Sequence, residues 1–146
     1  MRIVIGAPGN GAALKDELRV FLEQDARVTE VIDLSTPEVT YPEVSFRAAR
    51  LVVDGGAERA VLVCGTGLGT AIAANKVAGA RAATAHDIVT ARGAVENYDA
   101  QILCMGQNVI APIYARALLD AWLDARHDPA GFYGPKVREI SDFESA

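Results

Sequence analysis

The sequence predicts an α/β protein, a three-layer α/β/α, Rossmann-like fold around a five-stranded parallel sheet. Two observations carry that expectation. Along the 146 residues, five short apolar runs alternate with segments of helical periodicity. The runs are continuously apolar, as strands covered on both faces require, rather than alternating as strands with one wet face would be. Strand–helix alternation of this kind builds parallel neighbours joined by helical crossovers. The length suits one domain, so residues 1–146 are expected to form a single unit, with 128–146 as an extension able to reach substrate or a neighbouring subunit.

The elements follow in order. "RIVIG" at 2–6 is the first strand. Leu14, Leu18, Phe21 and Leu22 then recur at helical spacing and make one face. "VTEVIDL" at 28–34 is the second strand, and Val44, Ala48, Leu51 and Val52 mark the second helix. "RAVLVC" at 59–64 is the third strand, and "GLGTAIAANK" opens the third helix. "ARAATAH" at 80–86 is a weaker strand; a helix over 87–97 follows, with Asp87 suited to cap it. "QILCMG" at 101–106 is the fifth strand. Pro112 opens a long helix carrying Ala115, Leu118, Leu119 and Trp122 on one face. After His127 the sequence "DPAGFYGPK" reads as irregular.

Composition excludes several classes. Half the residues are hydrophobic, which argues against disorder. No apolar run approaches the ~20 residues of a membrane span. A formal charge of −5 without a clustered basic face argues against nucleic acid. The start "MRIVIGAPG" goes directly into a strand without a signal-peptide pattern, and two cysteines do not make a disulfide framework. A reducing, cytoplasmic setting is the expectation.

Ligands of parallel α/β sheets bind beyond the carboxyl ends of the strands, so function must lie in the loops there. The most informative is "CGTGLGT", Cys64 to Thr70. A helix N-terminus favours the thiolate of a cysteine placed before it. Alternating glycines let main-chain N–H groups come close to an anion. A thiolate there could remove a proton from carbon while the N–H groups hold the oxyanion formed beside it. The competing reading is a buried structural cysteine before a phosphate-cradling loop. A dinucleotide site is a weaker competitor. "GAPGNG" follows the first strand and Asp33 ends the second, but Gly6, Gly9 and Gly11 give GxxGxG rather than GxGxxG. His86 and His127 are the only histidines, and neither stands at metal-ligand spacing from a cysteine. No G-x-S-x-G elbow supports a serine hydrolase. His86–Asp87 reads as a helix start, Cys104 as core and Arg138 as surface.

The block "VCGTGLGTAIAANKVAGARAA" at 63–83 resembles the signature of the ribose-5-phosphate isomerase B and galactose-6-phosphate isomerase family. "IGAPGNGAALK", "TYPE", "AQILCMGQNVI" and "DAWLDARHDPAG" fit the same family in order and spacing, so the resemblance spans nearly the whole chain. It implies a sheet in strand order 2-1-3-5-4. It implies cofactor-free, metal-free interconversion of aldose and ketose sugar phosphates, tetrose or pentose, through a cis-enediolate. Cys64 matches the base of the cysteine-type branch; the other branch places a glutamate where Thr70 stands. Thr66 matches a hydroxyl that assists ring opening or proton transfer among substrate oxygens. The amides over Gly65, Gly67, Leu68, Gly69 and Thr70 match the anion hole, and Asn10, Tyr41 and Lys136 match substrate contacts. A homodimer or dimer of dimers is implied, the neighbour supplying the region of Asn97.

The family's Asp-His pair in the first loop is replaced here by Pro8 and Gly9, and its ring-opening histidine by Asn97. Its phosphate arginines are replaced by Asn108, Phe132 and Lys136. Asparagine shuttles no proton near neutral pH, and lysine offers a point charge instead of a fork. A four-carbon sugar phosphate cannot close the usual furanose and needs less help in ring opening. Asn97 followed by "AQI" and "MG" resembles the erythrose/erythrulose-phosphate branch. Two alternatives remain: an isomerase of an unphosphorylated sugar, and a non-catalytic partner subunit on the same scaffold. Retention of Cys64 and Thr66 favours a catalyst.

Overall fold

The computed structural model describes residues 1–146. Five parallel strands lie in the order β2-β1-β3-β5-β4. They are β1 Arg2–Gly6, β2 Glu30–Asp33, β3 Arg59–Cys64, β4 Ala82–Thr84 and β5 Ile102–Gly106. The helices are α1 Ala12–Gln24, α2 Tyr41–Val53, α3 Leu68–Ala74, α4 Ile88–Tyr98, α5 Pro112–Asp124 and α6 Gly134–Glu144. Fold class and strand order match the expectation from sequence.

Two apolar layers sandwich the sheet. On one face Ile3, Ile5, Val61, Val63, Leu103 and Met105 pack under α1, α4 and α5, whose Leu18, Val95 and Trp122 are among the buried residues. On the other, Val4, Leu62, Ile102 and Cys104 pack under Val44 and Ala48 of α2 and Ala71 and Ala74 of α3. Each fully buried Leu, Ile or Val stabilises by roughly 1.5–3 kcal/mol. The edge strands are the shortest and least buried, which explains why their predicted ends at 28–34 and 80–86 overshoot. The outer edge of β4 is closed by a side chain: Asn75 exchanges two 2.8 Å hydrogen bonds with the main chain of Ala82.

One expectation is corrected. The stretch after His127 is irregular only as far as Tyr133. Pro135 then fits the first turn of α6, which packs on α4 through the edge-on pair Tyr98–Tyr133, 5.8 Å between centroids. Only Gly134 and Val137 of α6 are buried, so its weak apolar stripe hid it from periodicity.

In this strand order the chain turns back at β1 and β3, and the crevice between their carboxyl ends is the switch point of the sheet. Gly11, at the end of the loop after β1, packs against the carbonyl of Val63, where a β-carbon would collide. That contact brings the first loop onto the end of β3. The same end bears Cys64.

Candidate active site

Cys64 is the last residue of β3 and is 6% exposed. The chain then folds back on its sulfur. Gly67 takes φ +78°, a left-handed conformation, and lies so close to the main chain of Met105 that a β-carbon would sit 2.9 Å from its carbonyl carbon. This turn aims the Gly67 N–H at Cys64 Sγ, 3.1 Å away. The hydroxyl of Thr70, fully buried one turn into α3, stands 3.6 Å from the same sulfur. Burial pushes the Cys64 thiol up. The Thr70 hydroxyl and the amides of Thr70, Thr66 and Gly67 outweigh it and bring the thiol below its ordinary value. The second cysteine behaves oppositely: Cys104 is wholly buried in β5, and desolvation pushes its thiol up to about 12.

Around the loop stand polar groups from four other segments. The side-chain amides of Asn10 and Asn108 close over Gly65, at 3.1 and 3.4 Å from where a β-carbon would be. The ring of Tyr41 lies over Gly69. Thr40 caps α2, its hydroxyl accepting from the Glu43 amide, so Tyr41 is left to pack on the loop with its outer edge exposed. Thr84, at the end of β4, donates its hydroxyl to the Gly67 carbonyl at 2.7 Å. Thr66 is exposed, its hydroxyl accepting a long 3.4 Å bond from the Leu68 amide, which leaves it open to a ligand.

Cys64, Gly65, Thr66, Gly67, Leu68, Gly69, Thr70, Asn10 and Tyr41 thus come together within one chain. Asn97 and Lys136 do not join them. Asn97 lines a separate cleft of about 310 Å3 with Thr84, Val89, Gly93 and Tyr98, on the β4 edge. Lys136 lies on α6, its ammonium 3.6 Å above the Phe132 ring. Asn108, read from the sequence only as the replacement of a phosphate arginine, stands over Gly65, and Thr84 is a neighbour of the loop that the sequence did not assign. Their positions at strand ends were the available signal. Asp87 caps α4 as expected, accepting from the Thr90 amide at 2.8 Å. No cluster of His, Cys, Asp and Glu suited to a metal ion is present, and no helix is long and apolar enough to cross a membrane.

A family model described as ribose/galactose isomerase matches residues 3–140. The chain belongs to this family. Among the ribose/galactose isomerases, the D-erythrulose-4-phosphate isomerase 2 of Mycolicibacterium smegmatis is 45% identical, over 100% of this chain and 99% of the relative. Ribose-5-phosphate isomerase B of Escherichia coli is 33% identical over 98% of this chain and 96% of its own length. The solved structure of Clostridium thermocellum ribose-5-phosphate isomerase B superposes with a TM-score of 0.93 at 38% identity, covering 99% and 98% of the two chains.

Proposed function

We propose that this ribose/galactose-isomerase family member interconverts the aldose and ketose forms of a four-carbon sugar phosphate, with Cys64 as the base. The observation that carries the reading is the sulfur of Cys64, held at the switch point of the sheet by the Gly67 amide and the Thr70 hydroxyl. A thiolate there takes a proton from C2 of the aldose or C1 of the ketose. The electron pair left behind forms the enediolate, whose oxygen the N–H groups of the glycine loop hold. The sulfur returns the proton to the other carbon, and Thr66 passes the hydroxyl proton between the two substrate oxygens. Atoms and charge balance without a cofactor.

Substrate size follows from the groups around the sulfur. Asn10 and Asn108 are amides, and His86 is engaged with the main chain. None is placed to open a furanose by acid–base chemistry, so an open-chain tetrose phosphate is the better fit. The 45% identity to an erythrulose-4-phosphate isomerase supports this.

The site is completed by a second copy of the chain. Leu68 and Ile72 stand one turn apart on α3, 57% and 64% exposed, beside the reactive loop. Asn97 and Lys136 share the flank formed by α4 and α6 and are brought to the neighbour's Cys64 in the dimer. The arrangement suits a cytoplasmic enzyme of sugar metabolism.

A panel of tetrose, pentose and hexose phosphates and free sugars tests the reading. Aldose–ketose conversion and solvent deuterium uptake at C1 or C2 should be fastest, by kcat/KM, with a tetrose phosphate. Ribose 5-phosphate as the best substrate would overturn the size argument, and a best substrate without phosphate would overturn the phosphate.

A further inference from the structure

The hydroxyl of Thr70 has a choice of partners. It lies 3.6 Å from Cys64 Sγ and 3.3 Å from the carbonyl oxygen of Gly67, and it carries one proton. The Gly67 carbonyl is already served: Thr84 donates to it from β4 at 2.7 Å, a shorter bond. Thr70 is fully buried, so no bulk water stands in for either partner.

We infer that Thr70 is a two-position hydroxyl that follows the charge on Cys64, and that Thr84 keeps it free to do so by holding the Gly67 carbonyl. When the sulfur is a thiol, its S–H points at the Thr70 oxygen and the Thr70 proton rests on the Gly67 carbonyl. When the sulfur is a thiolate, the Thr70 proton swings to the sulfur, and the Thr84 hydroxyl alone satisfies the carbonyl. No covalent bond is broken in the swing; one hydroxyl rotates and exchanges one hydrogen-bond acceptor for another. The charged form thereby gains a charge-assisted hydrogen bond in a buried site, where such bonds are strongest. The assignment rests on Cys64 as the proposed base, and it makes Thr70 and Thr84 positioning residues, acting through the sulfur.

The ionisable groups around the sulfur leave it room to act. Cys104, against Thr70 from β5, stays neutral because its thiol is pushed up to about 12. His86, from the loop after β4, spends its Nε2 on the amide of Gly106, the residue paired with Cys64 in the β3–β5 register. Neither the salt bridges nor the hydrogen bonds of the chain bring a lysine, arginine or carboxylate to Cys64 Sγ.

The test reads the sulfur directly. In the full-length protein, the rate of Cys64 alkylation by iodoacetamide is followed against pH, with the labelled peptide quantified by mass spectrometry. Thr70→Val keeps the shape and removes the hydroxyl. It should raise the midpoint by about one pH unit, the size of one hydrogen bond to a charged group. Thr70→Ser should restore the wild-type midpoint. Thr84→Val should raise it by a smaller amount, because the Gly67 carbonyl then competes for the Thr70 proton. An unchanged midpoint in Thr70→Val, with native circular dichroism, overturns the inference. So does a Thr84→Val midpoint equal to wild type. Turnover is not needed for this readout. If alkylation shifts as stated while Cys64→Ala remains an active isomerase, the hydroxyl inference stands and the assignment of the base falls.

Discussion

His86 accepts the amide proton of Gly106 on its Nε2 at 2.8 Å, across the carboxyl ends of β4 and β5. The ring must be neutral at that nitrogen, so its own proton sits on Nδ1. Gly106 is packed against the main chain of Thr66, with no room for a β-carbon. The histidine therefore props the strand end on which the Cys64–Thr70 loop rests.

The pH dependence of stability follows. Burial lowers the His86 pKa from 6.5, and the charge of Asp87 partly opposes it. Below 6.5 the unfolded chain takes up a proton at His86 that the folded chain still refuses. Folding stability therefore falls as pH drops through about 6.5 and levels off once the folded ring also protonates. Above that window the contribution is fully present. Urea midpoints measured between about pH 4.5 and 7.5 should show this fall, beyond that from the carboxylates. His86→Gln, which keeps an acceptor at the matching position, should flatten the His86 share of the slope. An unchanged slope in that variant would mean the ring does not titrate as argued.

The sheet was legible because its causes are local. Continuous runs such as "RAVLVC" bury both faces, and Pro112 and Asp87 mark helix starts. The loop that carries the proposed base could be singled out for the same reason: Cys64 to Thr70 is one contiguous stretch. What was hidden needed the third dimension. Thr84 reaches the loop at the Gly67 carbonyl and His86 reaches Gly106 at the end of β5, and nothing in their own sequence surroundings says so. Helix α6 was missed because it buries two residues, too few to leave a periodic stripe.

The two cysteines should separate cleanly. Cys64→Ala should lose at least ~10² in turnover while still binding substrate, since it removes the proposed base and little else. Cys104→Ala should leave turnover near wild type and cost about 1 kcal/mol of stability for the small cavity it opens in β5. Steady-state kinetics and chemical denaturation of both variants decide the matter. Wild-type turnover in Cys64→Ala would remove the thiol from the mechanism.

Lys136 should carry phosphate affinity. Its ammonium is held above the Phe132 ring and bonded to the Phe132 carbonyl at 3.3 Å, which restrains a flexible side chain before substrate arrives. Lys136→Ala should raise KM for phosphorylated substrates by about 10- to 100-fold with kcat little changed, as loss of one charged hydrogen bond predicts. Phe132→Ala should raise KM by a smaller factor. Equal losses with phosphorylated and free sugars would show that the lysine serves structure and not the phosphate.

A shared site makes a stronger demand, because Cys64 and Lys136 lie on different flanks of one chain. If α4 and α6 of one protomer cover the loop of the other, the two variants repair each other. Cys64→Ala homodimers lack the proposed base in both sites. Lys136→Ala homodimers are nearly silent well below their KM. A heterodimer has one site with both defects and one with neither. Equal amounts of the two, unfolded and refolded together, should distribute at random, and about a quarter of all sites should then be intact. Activity at low substrate should accordingly rise to about a quarter of wild type in the mixture, from near zero in either variant alone. It should decline on dilution in step with the loss of dimer seen by sedimentation. If the mixture shows only the sum of its parts while mass spectrometry confirms heterodimers, Lys136 acts within its own chain, and the shared site is wrong.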